Sequence, residues 1–231
     1  MRKLLIAVVV LLLLGAAADF AAARVFEDRV TEALQREYDL GRRPVVQVRD
    51  VPFLPHLATG RFSTIDLAAT DATARGINAA QLKLTLHGVR VPRDVLLGEP
   101  GRITVDRADG TIELTEAEVN RLLADRLRGG SLAIKEDGVE VRVQVPLLGQ
   151  TLDALVKGKL GARNGGVTFT PDEIRLGQGR LDPSQEDLLS DQFTFQVPLP
   201  ELPAGVRLER VDTRPGTVVL SGRAASVGVA T

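Results

Sequence analysis

Residues 4–18 carry no charge, and from Asp19 onward the chain changes character. Phe26, Val30, Ala33, Leu34 and Tyr38 recur at helical spacing, with Glu27, Asp28, Arg29, Glu32, Arg36 and Glu37 between them. Intervals of three and four residues place one apolar stripe on a helix, so an amphipathic helix is expected over 19–40, ending at Gly41. Its polar face is mixed in sign, which suits packing on a sheet better than lying on a membrane surface. Beyond Pro44 the period shortens to two. Strands are expected at Val45, Val46 and Val48, at 62–69 (Ile65, Leu67, Ala69) and at 79–91 through Leu82, Leu84 and Leu86. Pro92 stops the last of these, and 93–97 has room for one helical turn.

Further strands are expected at 102–107 and 111–114, joined by a turn at Ala108-Asp109-Gly110. Thr115-Glu116-Ala117-Glu118 is a capping box that opens a second helix, with Val119, Leu122, Leu123 and Leu127 on one face and Gly129-Gly130 at its end. The clearest hairpin follows. Leu132 and Ile134 lead into Glu136-Asp137-Gly138, and Val139, Val141, Val143 and Val145 return on one face with Glu140, Arg142 and Gln144 on the other. Residues 151–162 and 167–170 read as strands, the second ended by Pro171. Residues 177–190 look irregular, 193–197 is apolar again, and 198–203 is too rich in proline for a central strand. Two last strands, 206–211 and 217–229, flank a turn near Pro215-Gly216. Two helices against many hairpin-connected strands make an α+β fold with antiparallel sheets, and no linker interrupts residues 19–231, which are read as a single domain.

The segment 51–62 has too much hydrophobe for a solvent loop. Phe53 and Phe62 stand at its ends, Leu54 and Leu57 lie between, and Pro52 and Pro55 stiffen it against joining a sheet ladder. It is expected to be an apolar loop between two strands.

Composition removes several functions. With 29 basic and 30 acidic side chains and only 3% aromatics, neither a basic track nor a stacking platform for nucleic acid exists. No cysteine is present, which excludes disulfides, thiolate metal sites and a cysteine nucleophile. His56 and His87 are the only histidines, no Gly-x-Ser-x-Gly or EF-hand pattern occurs, and no metal or cofactor is expected. Neither Gly177-Gln178-Gly179 nor the stretch from Gly158 to Gly161 completes a nucleotide-binding fingerprint. His87 ends an alternating strand, as a solvent-face residue does; His56 sits in the apolar segment, where it is a candidate ligand contact. The aliphatic strand faces are either ordinary core or the lining of a ligand cavity.

Arg2 and Lys3 ahead of the apolar run, and Ala16-Ala17-Ala18 behind it, form an export signal over residues 1–18. The run is at the upper end for a signal core and short of the ~20 residues that span a bilayer comfortably, so an uncleaved N-terminal anchor is the alternative. In either case the rest of the chain is expected outside the cytoplasm, in the periplasm or cell envelope.

Several segments together resemble the LmeA family of phospholipid-binding proteins, actinobacterial envelope proteins with an N-terminal signal or anchor. In that family the central loop commonly reads Gly-Phe-Pro-Phe-Leu-Thr-Gln and runs on into a Gly-Arg/Lys pair. Here it is Asp50-Val51-Pro52-Phe53-Leu54-Pro55-His56, followed by Gly60-Arg61-Phe62: Pro52, Phe53, Leu54 and Gly60 match, and Asp50, Val51, Pro55 and His56 depart. Also similar are Leu-His-Gly-Val-Arg-Val at 86–91, the acidic stretch at Thr115, Phe-Thr-Pro at 169–171 and Leu-Pro-Ala-Gly-Val-Arg-Leu at 202–208.

The resemblance implies an elongated, strand-rich antiparallel fold wrapped around amphipathic helices, with an apolar cavity for an anionic phospholipid. It implies lipid holding or transfer at a membrane surface in support of envelope glycolipids such as mannosylated phosphatidylinositols, and it brings no catalytic residues. Under it, Phe53, Leu54, Leu57 and Phe62 form a greasy lip at the cavity mouth, Arg61 and His56 are placed by position for a headgroup, and Leu82, Leu84, Leu86, Val139, Val141 and Val143 line the cavity. Two other functions stay open on the residues alone: an envelope scaffold that binds proteins by a sheet edge, and a secreted hydrolase.

Overall fold

The computed structural model describes residues 2–37, 41–74, 76–97, 99–127, 129–147, 150–163, 165–177, 179–180, 193–198 and 206–230. The irregular stretch at 177–190 and the proline-dense stretch at 198–203 fall mostly outside these residues, as does the start of the 202–208 motif.

The apolar run and the amphipathic segment are not two pieces. They form one 36-residue helix, α1 (Arg2–Glu37), because no proline interrupts them and Asp19 stays helical. After β1 (Val45–Val48), the segment expected as a loop contains a helix, α2 (Phe53–Thr59). Its prolines do not forbid it. Pro52 is the N-cap and Pro55 falls in the first turn, where a missing N–H removes no intrahelical bond. Gly60 ends the helix in the left-handed region at φ 66°, and a Cβ there would run into the Val91 carbonyl oxygen.

Two long strands follow, β2 (Arg61–Ala74) and β3 (Ile77–Arg90), then a turn of helix, α3 (Arg93–Leu96). The turn expected at 108–110 does not form: β4 (Arg102–Thr115) runs straight through it. Cross-strand pairing overrides the local Asp-Gly signal there.

The second helix breaks at Leu123 into α4 (Glu116–Leu122) and α5 (Ala124–Leu127). Only half of the capping box is made. Thr115 Oγ1 accepts the Glu118 N–H, but the Glu118 carboxylate turns instead to the Asn78 backbone N–H at 2.8 Å and to Arg121 Nε at 2.9 Å. Those donors hold the buried carboxyl well below the usual range, at about 2, with the Arg121 hydrogen bond the largest cause.

The remaining strands are β5 (Ser131–Lys135), β6 (Gly138–Leu147), β7 (Gln150–Arg163), β8 (Gly166–Leu176), β9 (Gly179–Arg180), β10 (Phe195–Pro198), β11 (Val206–Arg214) and β12 (Thr217–Ala230). β8 does not stop at Pro171; it continues past it, beside a register shift at Lys157/Gly158 of β7 that accommodates the missing donor. Hydrogen bonding orders one sheet β1-β2-β3-β4-β12-β11 and the other β10-β8-β7-β6-β5, with β9 on β8. The fold is α+β with antiparallel pairing in each described register, as the sequence led us to expect.

By their contacts the residues separate into two compact units. One comprises 1–70, 83–109 and 224–231, the other 71–82 and 110–223. In the first, α1 lays Ala22, Phe26, Val30 and Leu34 on a core of Val46, Phe53, Phe62, Ile65, Val89 and Val105. In the second, Leu123 and Leu127 of the broken helix pack with Ala79, Leu114, Val218 and Leu220 and with Leu132, Ile134, Val139, Val141, Val156, Phe169 and Ile174. The hairpin register pairs Leu132 with Val141 and Ile134 with Val139, which turns all four inward, while Arg142 and Gln144 are exposed.

Candidate lipid-binding site

The first unit carries a groove of about 1130 Å³ between α1 and the chain from Arg43 to Pro55. α1 is amphipathic only in its second half. Before that, Leu11, Leu12, Leu13, Leu14 and Phe20 are all more than 60% exposed. The helix from Val9 to Arg36 is long and apolar enough to cross a bilayer, a test that a signal sequence near the N-terminus passes as an anchor does.

Three carboxylates of α1 set the wall opposite. Arg43 pairs with Asp28 at 2.8 Å, Glu27 accepts the Val48 N–H at 2.9 Å, and Asp19 accepts the N–H groups of Phe53 and Leu54 at 2.7 Å each. The partners on α1 fall in number as those on the opposite segment rise, so residues 43–54 run back along α1 toward its N-terminus. Leu11, Leu12, Ala16, Phe20 and Ala23 line the groove from α1, and Val45, Val46, Val51, Pro52 and Leu54 line it from the other side.

The residues singled out in 51–62 part company here. Phe53 and Phe62 do not form an exposed lip: they are 1% and 2% exposed, and their rings pack on Phe26 at 5.4 and 5.6 Å and on each other at 6.0 Å. Helix formation causes the split, because it turns successive side chains to different sides. Leu54 faces out, 41% exposed, beside Val51 at 87%. Leu57 is half-buried against the aromatic cluster.

His56 is held by its backbone surroundings, with Nδ1 2.9 Å from the Arg61 carbonyl oxygen and 3.8 Å from Asp50. Arg61 itself is exposed.

The expected cavity-lining residues divide between the two units. Leu84 and Leu86 belong to the first unit, and Leu86 packs on its core; Leu82, Val139, Val141 and Val143 belong to the second. Val139 and Val141 are 2% and 4% exposed in close-packed core, and Val143 packs against it. The groove on α1 escaped sequence reasoning because nothing in a linear pattern tells a helix half that packs from one that projects. The hint was the abrupt change of pattern at Asp19.

His87 is not a simple solvent-face residue. It bridges three strands, with Nδ1 3.5 Å from Thr64 Oγ1 and Nε2 3.4 Å from Asp109. Among the described residues no group of three His, Asp or Glu side chains is placed to hold a metal ion.

An antiparallel α+β protein with an aliphatic groove beside a projecting apolar helix has the make-up of one that handles amphiphiles. The comparison with protein families is specific on this point. The chain belongs to the LmeA-like phospholipid-binding family, whose family model matches residues 17–223 of its 231. No curated protein and no solved structure matches it.

Proposed function

We propose that the protein is an exported, non-enzymatic phospholipid carrier of the cell envelope, working with residues 19–231 as one functional domain. It holds or transfers an anionic phospholipid of the phosphatidylinositol type, and so supports the synthesis or maintenance of envelope mannan-lipids. Membership of the phospholipid-binding family carries the reading. The apolar half of α1 supports export and a membrane location, since a bilayer is the environment in which so much exposed Leu and Val is favourable.

At the membrane surface, Leu54 and Val51 supply apolar contacts and Arg61 a basic contact for lipid headgroups, since all three are exposed. Phe53 and Phe62 serve the site by fixing α2 on α1.

Native mass spectrometry of the full chain, purified in mild detergent from its own envelope, tests this when combined with lipid extraction. One phosphatidylinositol-type lipid per chain is the expected result. A chain that carries no phospholipid and takes none up from vesicles overturns it.

A further inference from the structure

We propose that the groove between α1 and residues 43–55 is a phospholipid site loaded sideways from the bilayer in which α1 remains embedded. The acyl chain lies along Leu11, Leu12, Ala16 and Phe20, and the phosphate meets Arg24 and Arg43. This rests on the phospholipid-binding reading and adds where the lipid sits and how it enters.

The groove has the polarity of a lipid. Its α1 wall extends from Leu11 to Thr31, which at ~1.5 Å per residue is about 30 Å of helix. One leaflet of a bilayer is ~20–22 Å including headgroups, so a single phospholipid fits lengthwise. Toward the N-terminus that wall is aliphatic, and it is continuous with the exposed apolar face of α1. A lipid moving from the leaflet into the groove therefore never exposes its chain to water.

At the other end the groove is lined by Arg24, Glu27, Asp28, Thr31 and Arg43. The carboxylates of the lining are already engaged: Asp19 by two backbone N–H groups, Glu27 by the Val48 N–H, Asp28 by Arg43, and Asp50 by the Ser63 N–H. Arg24 makes no ion pair among the described residues. Its guanidinium carbon stands 5.0 Å from the centroid of the Phe20 ring, so an arriving phosphate meets a cation with no carboxylate to displace.

The chain is tested whole, reconstituted into phosphatidylcholine–phosphatidylglycerol vesicles that contain a phosphatidylglycerol with a photoreactive acyl end. α1 is labelled simply by being in the bilayer, so the informative readout is labelling of residues 44–55, together with native mass spectrometry of retained lipid. Ala16→Trp fills the groove and is expected to reduce both by about tenfold, the equivalent of ~1.4 kcal/mol. Leu13→Trp, outside the groove lining, is expected to change neither. Arg24→Glu is expected to lower retention of phosphatidylglycerol while the chain still floats with the vesicles.

Unchanged or equal labelling in the two Trp variants overturns the groove as the site, and so does a mature chain that begins after residue 18. If Ala16→Trp keeps its bound lipid, the phospholipid-binding reading stands and the lipid sits elsewhere. A wild-type chain without any lipid overturns both.

Discussion

The carboxylate of Asp19 accepts the backbone N–H of Phe53 at 2.7 Å, across 34 residues of sequence, and the N–H of Leu54 at the same distance. The residue that interrupts the apolar run of the N-terminus therefore supplies the N-terminal cap that Pro52 lacks. Replacing it with Ala leaves the first-turn donors of α2 without a partner, at a cost of about 0.5–2 kcal/mol. A fall in melting temperature of a few degrees is expected, at ~2–4 °C per kcal/mol for a chain of this size. Hydrogen exchange at residues 53–56 should rise more than anywhere else; uniform acceleration would show that the bond does not act on α2.

Adjacent residues of α2 should separate stability from lipid handling. Phe53→Ser removes a fully buried ring from the Phe26–Phe62 cluster and should cost at least the ~3–5 kcal/mol of a Phe truncation in a core. Leu54→Ser, at an exposed position, should leave the melting temperature within a degree or two and slow lipid uptake from vesicles. Equal melting temperatures for the two variants would contradict the helical placement of this segment.

The hairpin offers a similar contrast in the second unit. Val141→Asp puts an unpaired charge at a 4% exposed position opposite Leu132 and should prevent folding, as read by circular dichroism and protease sensitivity. Glu140→Lys sits directly opposite Lys157, 3.8 Å from its Nζ in the native pair, and should cost less than about 1 kcal/mol.

Glu118 predicts an acid limb. Its folded pKa of about 2 lies below the 4.5 of a free glutamate, so the folded state favours the ionised form. The stabilisation is present in full above pH 4.5 and is lost as the pH falls from there toward 2. Glu118→Gln should lower stability at neutral pH and flatten this part of the pH profile. An unchanged slope between pH 4.5 and 2 would show that other carboxylates set it.

Much was determined by the sequence alone. The 3.6-residue period places Phe26, Val30 and Leu34 inward whatever lies beneath, and the two-residue period of 139–143 does the same for its valines, because burying apolar side chains drives both. The family resemblance was also legible, carried by Pro52, Phe53, Leu54 and Gly60 and by the later motifs.

Tertiary structure decided what local pattern could not. α2 is too short to hold itself together and exists because Asp19 caps it and Phe53 is buried, two contacts from distant sequence. The Ala108-Asp109-Gly110 turn disappears because β4 gains more from uninterrupted pairing in its sheet than from a local reversal. Glu118 abandons the capping box because Asn78 and Arg121 offer it better donors. The candidate site followed the same division. Sequence located the apolar segment, but which of its side chains point into the core and which into the groove was settled only when residues 43–54 folded back along α1, since exposure is a property of neighbours rather than of a residue.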